Sequence, residues 1–163
     1  MADERMHVET TDRELIFTRV FDAPRELVFE TFSDCEHLRN WWGPREWPLS
    51  TCDMDFREGG SWTYCMKGPE DQLACSKAVY GRIVTPELIE YQDYFLDESG
   101  EVNEELPNGL MTLQFAVQGE GTKITGRAQY PGPTDLQTVL EMGIVEGMTE
   151  TMDRLEELLA RIQ

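Results

Sequence analysis

The sequence predicts an α+β domain: one long C-terminal helix on an antiparallel sheet of about seven strands, with two short helices after the first strand. Three observations carry this reading. Segments of period-two alternation follow one another through short turns from Leu49 to Tyr130, the pattern of consecutive hairpins. Helical spacing interrupts the early chain once, between Ala23 and Asn40. Beyond Pro131-Gly132-Pro133 the period becomes helical and holds to Ile162.

Residues 1–12 are polar and acidic and are expected to form a loose tail before a single domain over 13–163. Leu15–Phe21 is rich in β-formers and reads as the first strand. Asp22 is placed to cap the next helix, with Pro24 in its first turn. Ser33-x-x-Glu36 reads as a capping box for a second short helix over Asp34–Asn40. Strands follow at Leu49–Phe56, Ser61–Lys67, Lys77–Val84, Leu88–Leu96, Gly109–Gln118 and Thr122–Tyr130. Thr134-x-x-Gln137 is a further capping box, opening a helix of about 28 residues and about 42 Å. Its apolar stripe runs through Leu140, Ile144, Met148, Thr151, Leu155, Leu158 and Ile162 and must be buried against the concave face of the sheet.

Composition excludes several function classes. The 163 residues hold 32 Asp plus Glu against 14 Lys plus Arg, a formal charge of −18 that repels nucleic acid and anionic membranes. No apolar run reaches the roughly 20 residues of a membrane span, and no signal-peptide pattern precedes Leu15. A cytoplasmic protein is expected. Cys35, Cys52, Cys65 and Cys75 contain no Cys-x-x-Cys pair and the histidines are only His7 and His37, so no metal site is expected, and reduced cytosolic thiols are. His7 lies in the tail and His37 in a short helix, which leaves no Ser-His or Cys-His constellation. No catalytic motif and no cofactor fingerprint is present.

What remains is a cavity between sheet and helix. Gly143 and Gly147 lie four apart near the inward stripe, at a cost of roughly 1 kcal/mol each in a helix interior, so they mark either a close backbone approach or a pocket wall. Methionines recur in the strands and the long helix, where flexible side chains suit varied partners. Aromatic residues with polar tips line the strand faces. The expected lining is Met54, Trp62, Tyr64, Met66, Tyr91, Met111, Leu113, Phe115, Gly143, Gly147 and Met148. The acids are expected outside, since the inward positions are nearly free of them.

Four pieces, in this order and spacing, resemble the START-like (SRPBCC) superfamily, in the branch named after the activator of the heat-shock-protein-90 ATPase. They are Phe21-Asp22-Ala23-Pro24-Arg25-Glu26-Leu27-Val28-Phe29, Trp41-Trp42-Gly43-Pro44, Met54-Asp55-Phe56-Arg57-Glu58-Gly59-Gly60, and Gly143-x-x-x-Gly147-Met148 running into Arg154-Leu155. The resemblance covers about Leu15 to Leu159. It implies a helix-grip fold and an internal, mostly apolar cavity for a lipid, a polyketide, a flavonoid-like compound or another hydrophobic small molecule. It also implies two alternatives. One is a polyketide cyclase or dehydratase-like enzyme, for which Tyr64, Tyr91, Arg82 or Glu141 are the available proton-transfer groups. The other is a module that contacts a chaperone, as a monomer or a homodimer.

Overall fold

The structure, a computed structural model, describes residues 6–163. Eight strands form one curved, unclosed antiparallel sheet: β1 (Met6–Thr10), β2 (Glu14–Phe21), β3 (Leu49–Met54), β4 (Ser61–Lys67), β5 (Leu73–Val84), β6 (Leu88–Phe95), β7 (Gly109–Gln118) and β8 (Gly121–Gln129). Their order across the sheet is β1-β2-β8-β7-β6-β5-β4-β3. Two short helices, α1 (Arg25–Glu30) and α2 (Cys35–Leu38), follow β2, and α3 (Pro133–Glu141) and α4 (Ile144–Ile162) close the chain. This is the helix-grip arrangement, with α4 held in the concave face of the sheet.

Register defines that face. Directly opposed residues share a side of a sheet, and the pairs Trp62↔Ala78, Tyr64↔Ser76, Tyr80↔Tyr91, Tyr91↔Met111, Leu113↔Gly126, Phe115↔Ile124 and Ile124↔Arg19 trace one continuous inward surface. Met152, Leu155, Leu158 and Leu159 of α4 complete the main core with Phe17, Phe21, Phe29, Phe32, Phe115 and Trp41. A second, smaller cluster gathers Leu15, Ala128, Tyr130, Leu136 and Val139.

Several expectations are corrected. Met6–Thr10, expected in a tail, pairs with β2 from Met6↔Arg19 to Thr10↔Leu15; residues 1–5 of that tail lie outside the described residues. Its alternation, Met6 and Val8 between His7 and Glu9, spans only two apolar positions in a polar, acidic stretch, which is why it reads as a tail. The long helix is broken. Gly143 stands at φ +86, in the left-handed region that glycine tolerates, and separates α3 from α4. The apolar stripe continues across the break, so periodicity alone does not reveal it. The caps also differ. Asp34, not Ser33, caps α2 by accepting a hydrogen bond from the His37 backbone N–H at 2.8 Å. Pro24 rather than Asp22 precedes α1, and α3 starts on Gly132-Pro133 with no side-chain cap, so Thr134 plays no such part. The thiols are paired as disulfides, Cys35–Cys52 and Cys65–Cys75. Cys65 and Cys75 oppose each other in the β4–β5 register, and Cys52 on edge strand β3 meets α2, proximities that sequence spacing does not disclose.

Candidate functional site

The sheet and α4 are joined differently along the length of the helix. At the C-terminal half the contact is closed and ionic. Arg19, 2% exposed, projects from β2 and sends Nη2 to Asp153 at 2.8 Å and to Glu156 at 3.0 Å. Across the helix, Arg154 donates to the backbone carbonyls of Trp42 at 3.2 Å and Gly43 at 2.8 Å. Arg45 pairs with Glu157, and its backbone N–H donates to Glu150. Gly43, at φ +95, lies where a Cβ would come within 2.3 Å of the Trp47 carbonyl oxygen. The tight Trp41-Trp42-Gly43-Pro44 turn is therefore built for this packing. Trp41 is fully buried and donates from Nε1 to the Thr31 carbonyl at 3.1 Å.

At the N-terminal half the packing is looser. Ile144, Val145 and Met148 are partly buried. Met111 and Met148 each border both core clusters, so they mark the seam between them. Met66 at the end of β4 is also partly buried. An aromatic wall rises beside the seam. Trp62 and Tyr64 stack at 4.3 Å between ring centroids, and Trp42 meets both edge-on at 4.9 and 5.7 Å. Trp62 Nε1 donates to Cys52 Sγ at 3.2 Å.

The seam contains the one acid on the inward rows of the strands among the described residues. Alternation along β6 turns Ile89, Tyr91, Asp93 and Phe95 inward, and Asp93 lies between Ala78 of β5 and Gly109 of β7. Asp93 Oδ1 is shut off from solvent and has no hydrogen-bond partner among the described residues. Burial raises its carboxyl from the ordinary value of 3.8 to about 7. The phenols around it respond to the same environment. Burial, followed by the nearby Asp93 charge, pushes Tyr130 up to about 12 and holds Tyr64 and Tyr91 well above their usual range. Ser76 and Trp42, near the Tyr64 hydroxyl, offset part of that rise.

The expected lining residues separate into groups. Tyr91, Met111 and Met148 meet at the seam with Tyr64 beside them, whereas Met66 belongs to the main cluster alone, at the end of β4 next to Gly43. Met54 and Trp62 stand on the same face toward edge strand β3. Leu113 and Phe115 lie in the closed core, where Phe115 makes edge contacts with Phe29 at 5.1 Å and Phe32 at 5.2 Å. Gly143 forms the helix break, and Gly147 faces Pro44, with a Cβ there reaching its Cγ at 3.4 Å. Of the candidate proton-transfer groups, Arg82 and Glu141 are exposed. Asp93 is the residue that sequence reading missed, the one exception on inward rows expected to be nearly free of acids. Its signal was the alternation of β6 itself, which fixes Asp93 on the side of Tyr91.

Two hollows lie away from the seam. One of about 140 Å³ is lined by Phe21, Asp22, Glu156, Leu159, Ala160 and Gln163 at the C-terminal end of α4, and the other is a shallow depression along Thr10–Glu14. Among the described residues no group of His, Cys, Asp and Glu is arranged to hold a metal ion, and no helix is long and apolar enough to cross a membrane.

Comparison with known proteins agrees with this architecture. A crystal structure of a Mycobacterium smegmatis protein superposes with a TM-score of 0.87 at 29% identity, over 94% of this chain and 95% of that one. A solution structure from Arthrobacter aurescens gives a TM-score of 0.89 at 28% identity, over 95% and 91%. A solution structure from Staphylococcus epidermidis gives 0.81 at 32% identity, over 96% and 94%. None of the curated proteins matches the chain by sequence. The family model for activator of Hsp90 ATPase homolog 1-like protein matches residues 22–160, which span α1, both Trp41-Trp42 and Gly143-x-x-x-Gly147 motifs, and nearly all of α4; the chain belongs to this family.

Proposed function

We propose that the protein binds an apolar or aromatic small molecule, of lipid, polyketide or flavonoid-like character, at the seam between the sheet and the N-terminal half of α4. The observation that carries this reading is the grouping of two partly buried methionines, Met111 and Met148, with the phenols of Tyr64 and Tyr91 near Asp93 Oδ1, which has no partner among the described residues. Apolar walls with one or two convergent polar groups are the usual make-up of a ligand site. Side chains occupy the seam in the structure, so a ligand enters by moving them. Methionine is suited to that, being unbranched and indifferent to the precise shape it packs against.

A panel of fatty acids, flavonoids and aromatic polyketides tests the reading. A ligand that binds the native state raises the melting temperature, by an amount that grows with its concentration over Kd. At least one class should produce this shift and a bound species in native mass spectrometry. A panel with neither effect sinks the reading.

A second reading, a cyclase or dehydratase-like enzyme, is favoured by Asp93 lying among Tyr64, Tyr91 and Tyr130 with a carboxyl near neutrality, a setting suited to proton transfer. Turnover of a polyketide that is lost in Asp93→Asn and in Tyr91→Phe would replace the binding reading with this one.

A further inference from the structure

We infer that the seam takes a ligand carrying a protonated amine on an aromatic or alkyl body, with the ammonium donated to Asp93 Oδ1. The inference rests on the binding reading above and names the chemistry of the ligand's buried end.

Asp93 is half-buried as a residue, but its Oδ1 is withdrawn from water, and a carboxylate oxygen so placed is satisfied by a proton, a cation or a donor. The described residues supply none of these to Asp93 Oδ1. The one cation on the inward rows among the described residues, Arg19, stands three strands away on β2, with Nη2 on Asp153 and Glu156 of α4 and with Nε and Nη1 unpartnered. The neighbours of Asp93 are Ala78 and Gly109 on the flanking strands, which have no side-chain donor. The phenols of Tyr64, Tyr91 and Tyr130 surround the position without bonding this oxygen. Aromatic rings beside a carboxylate are the usual surroundings of a bound ammonium, because ring faces attract cations where water is excluded. The protein's charge of −18 draws cations toward its surface and opposes a carboxylate-bearing ligand.

The pH response follows from the groups that face the site. They are Tyr64 from β4, Tyr91 from β6 and Tyr130 beyond β8, all held protonated through neutral pH. β5 contributes Ser76 and Ala78, β7 contributes Met111, and α4 contributes Ile144 and Met148, none of which titrates. Asp93 is thus the group that changes charge near neutrality. Amine affinity should fall as pH falls through about 7, where the carboxylate gains its proton.

Three probes of one shape test the inference by calorimetry: naphthylethylamine, naphthylethanol and ethylnaphthalene. The amine should bind about tenfold or more tightly than the hydrocarbon. In Asp93→Asn that preference should vanish while the hydrocarbon's affinity is kept. The wild-type pH series gives the same answer without any substitution. If the hydrocarbon binds and the amine has no advantage, or keeps its advantage in Asp93→Asn, the inference is overturned and the binding reading stands. If none of the three binds, the inference falls together with the binding reading.

Discussion

The two halves of α4 meet the same sheet and do so in opposite ways. From Glu150 to Leu159 the helix is clamped by Arg19 on one side and by Arg45 and the Trp42–Gly43 carbonyls on the other, over leucines that are almost wholly buried. From Ile144 to Met148 it rests on methionines and phenols around an acid with an unpartnered oxygen, just after a left-handed glycine. Stability is concentrated at one end and adaptability at the other. Folds commonly draw their binding elements from the less stable end, because a site that must open cannot be the part that holds the molecule shut.

The comparison breaks first where the closed end is cut. Leu155→Ala removes a fully buried side chain from the main core and should cost about 2–5 kcal/mol in denaturant unfolding. The same truncation at the seam, Met148→Ala, should cost markedly less, since Met148 is only partly buried. Equal costs would show that the two ends are packed alike.

The disulfides come next. Cys35–Cys52 closes a separation of 17 residues and ties α2 to edge strand β3, so Cys35→Ser should lower stability by about 3 kcal/mol under oxidising conditions. The variant and the wild type should converge once both are reduced. A wild type that is insensitive to reductant would show that the thiols are unpaired in solution.

A pH series tests the acid itself. Asp93 has its folded carboxyl raised from 3.8 to about 7, so between these values the native state holds a proton that the unfolded chain has lost. Stability should therefore fall as pH rises across that window, by roughly 4 kcal/mol, and flatten above it. Asp93→Asn should remove this slope and be the more stable protein near pH 7. Chemical denaturation from about pH 4 to pH 8 reads both effects. The smallest change expected is for Met111→Leu, a volume-conserving swap that should cost less than about 1.5 kcal/mol while narrowing the range of ligands bound.

The sequence made the sheet legible because one side of it is buried. The limits of β4 and β7 coincide with the alternation at Ser61–Lys67 and Gly109–Gln118. The same alternation is present at β1 but rests on Met6 and Val8 alone, too short a run to separate a strand from a tail. The helix break at Gly143 was hidden by a stripe that crosses it, and a glycine there admits both close packing and a left-handed turn until its φ is known. The grouping of Tyr64, Tyr91 and Met111 on one face follows from strand parity, which sequence supplies. That Asp93 shares this face follows equally, but its lack of a partner does not. Partners are set by the register of β5 and β7 and by where Arg19 spends its charge, and these are properties of the assembled sheet.

The most direct test of the contrast uses the methionines as reporters, since they are distributed over both halves of α4. Methyl NMR of protein labelled at the methionine methyls, titrated with naphthylethylamine, should move the resonances of Met111 and Met148. Those of Met152, buried in the closed end, and Met142, half exposed on the surface, should stay in place. Shifts at Met152 with Met111 and Met148 unmoved would place the binding region at the wrong end of the helix and contradict the account.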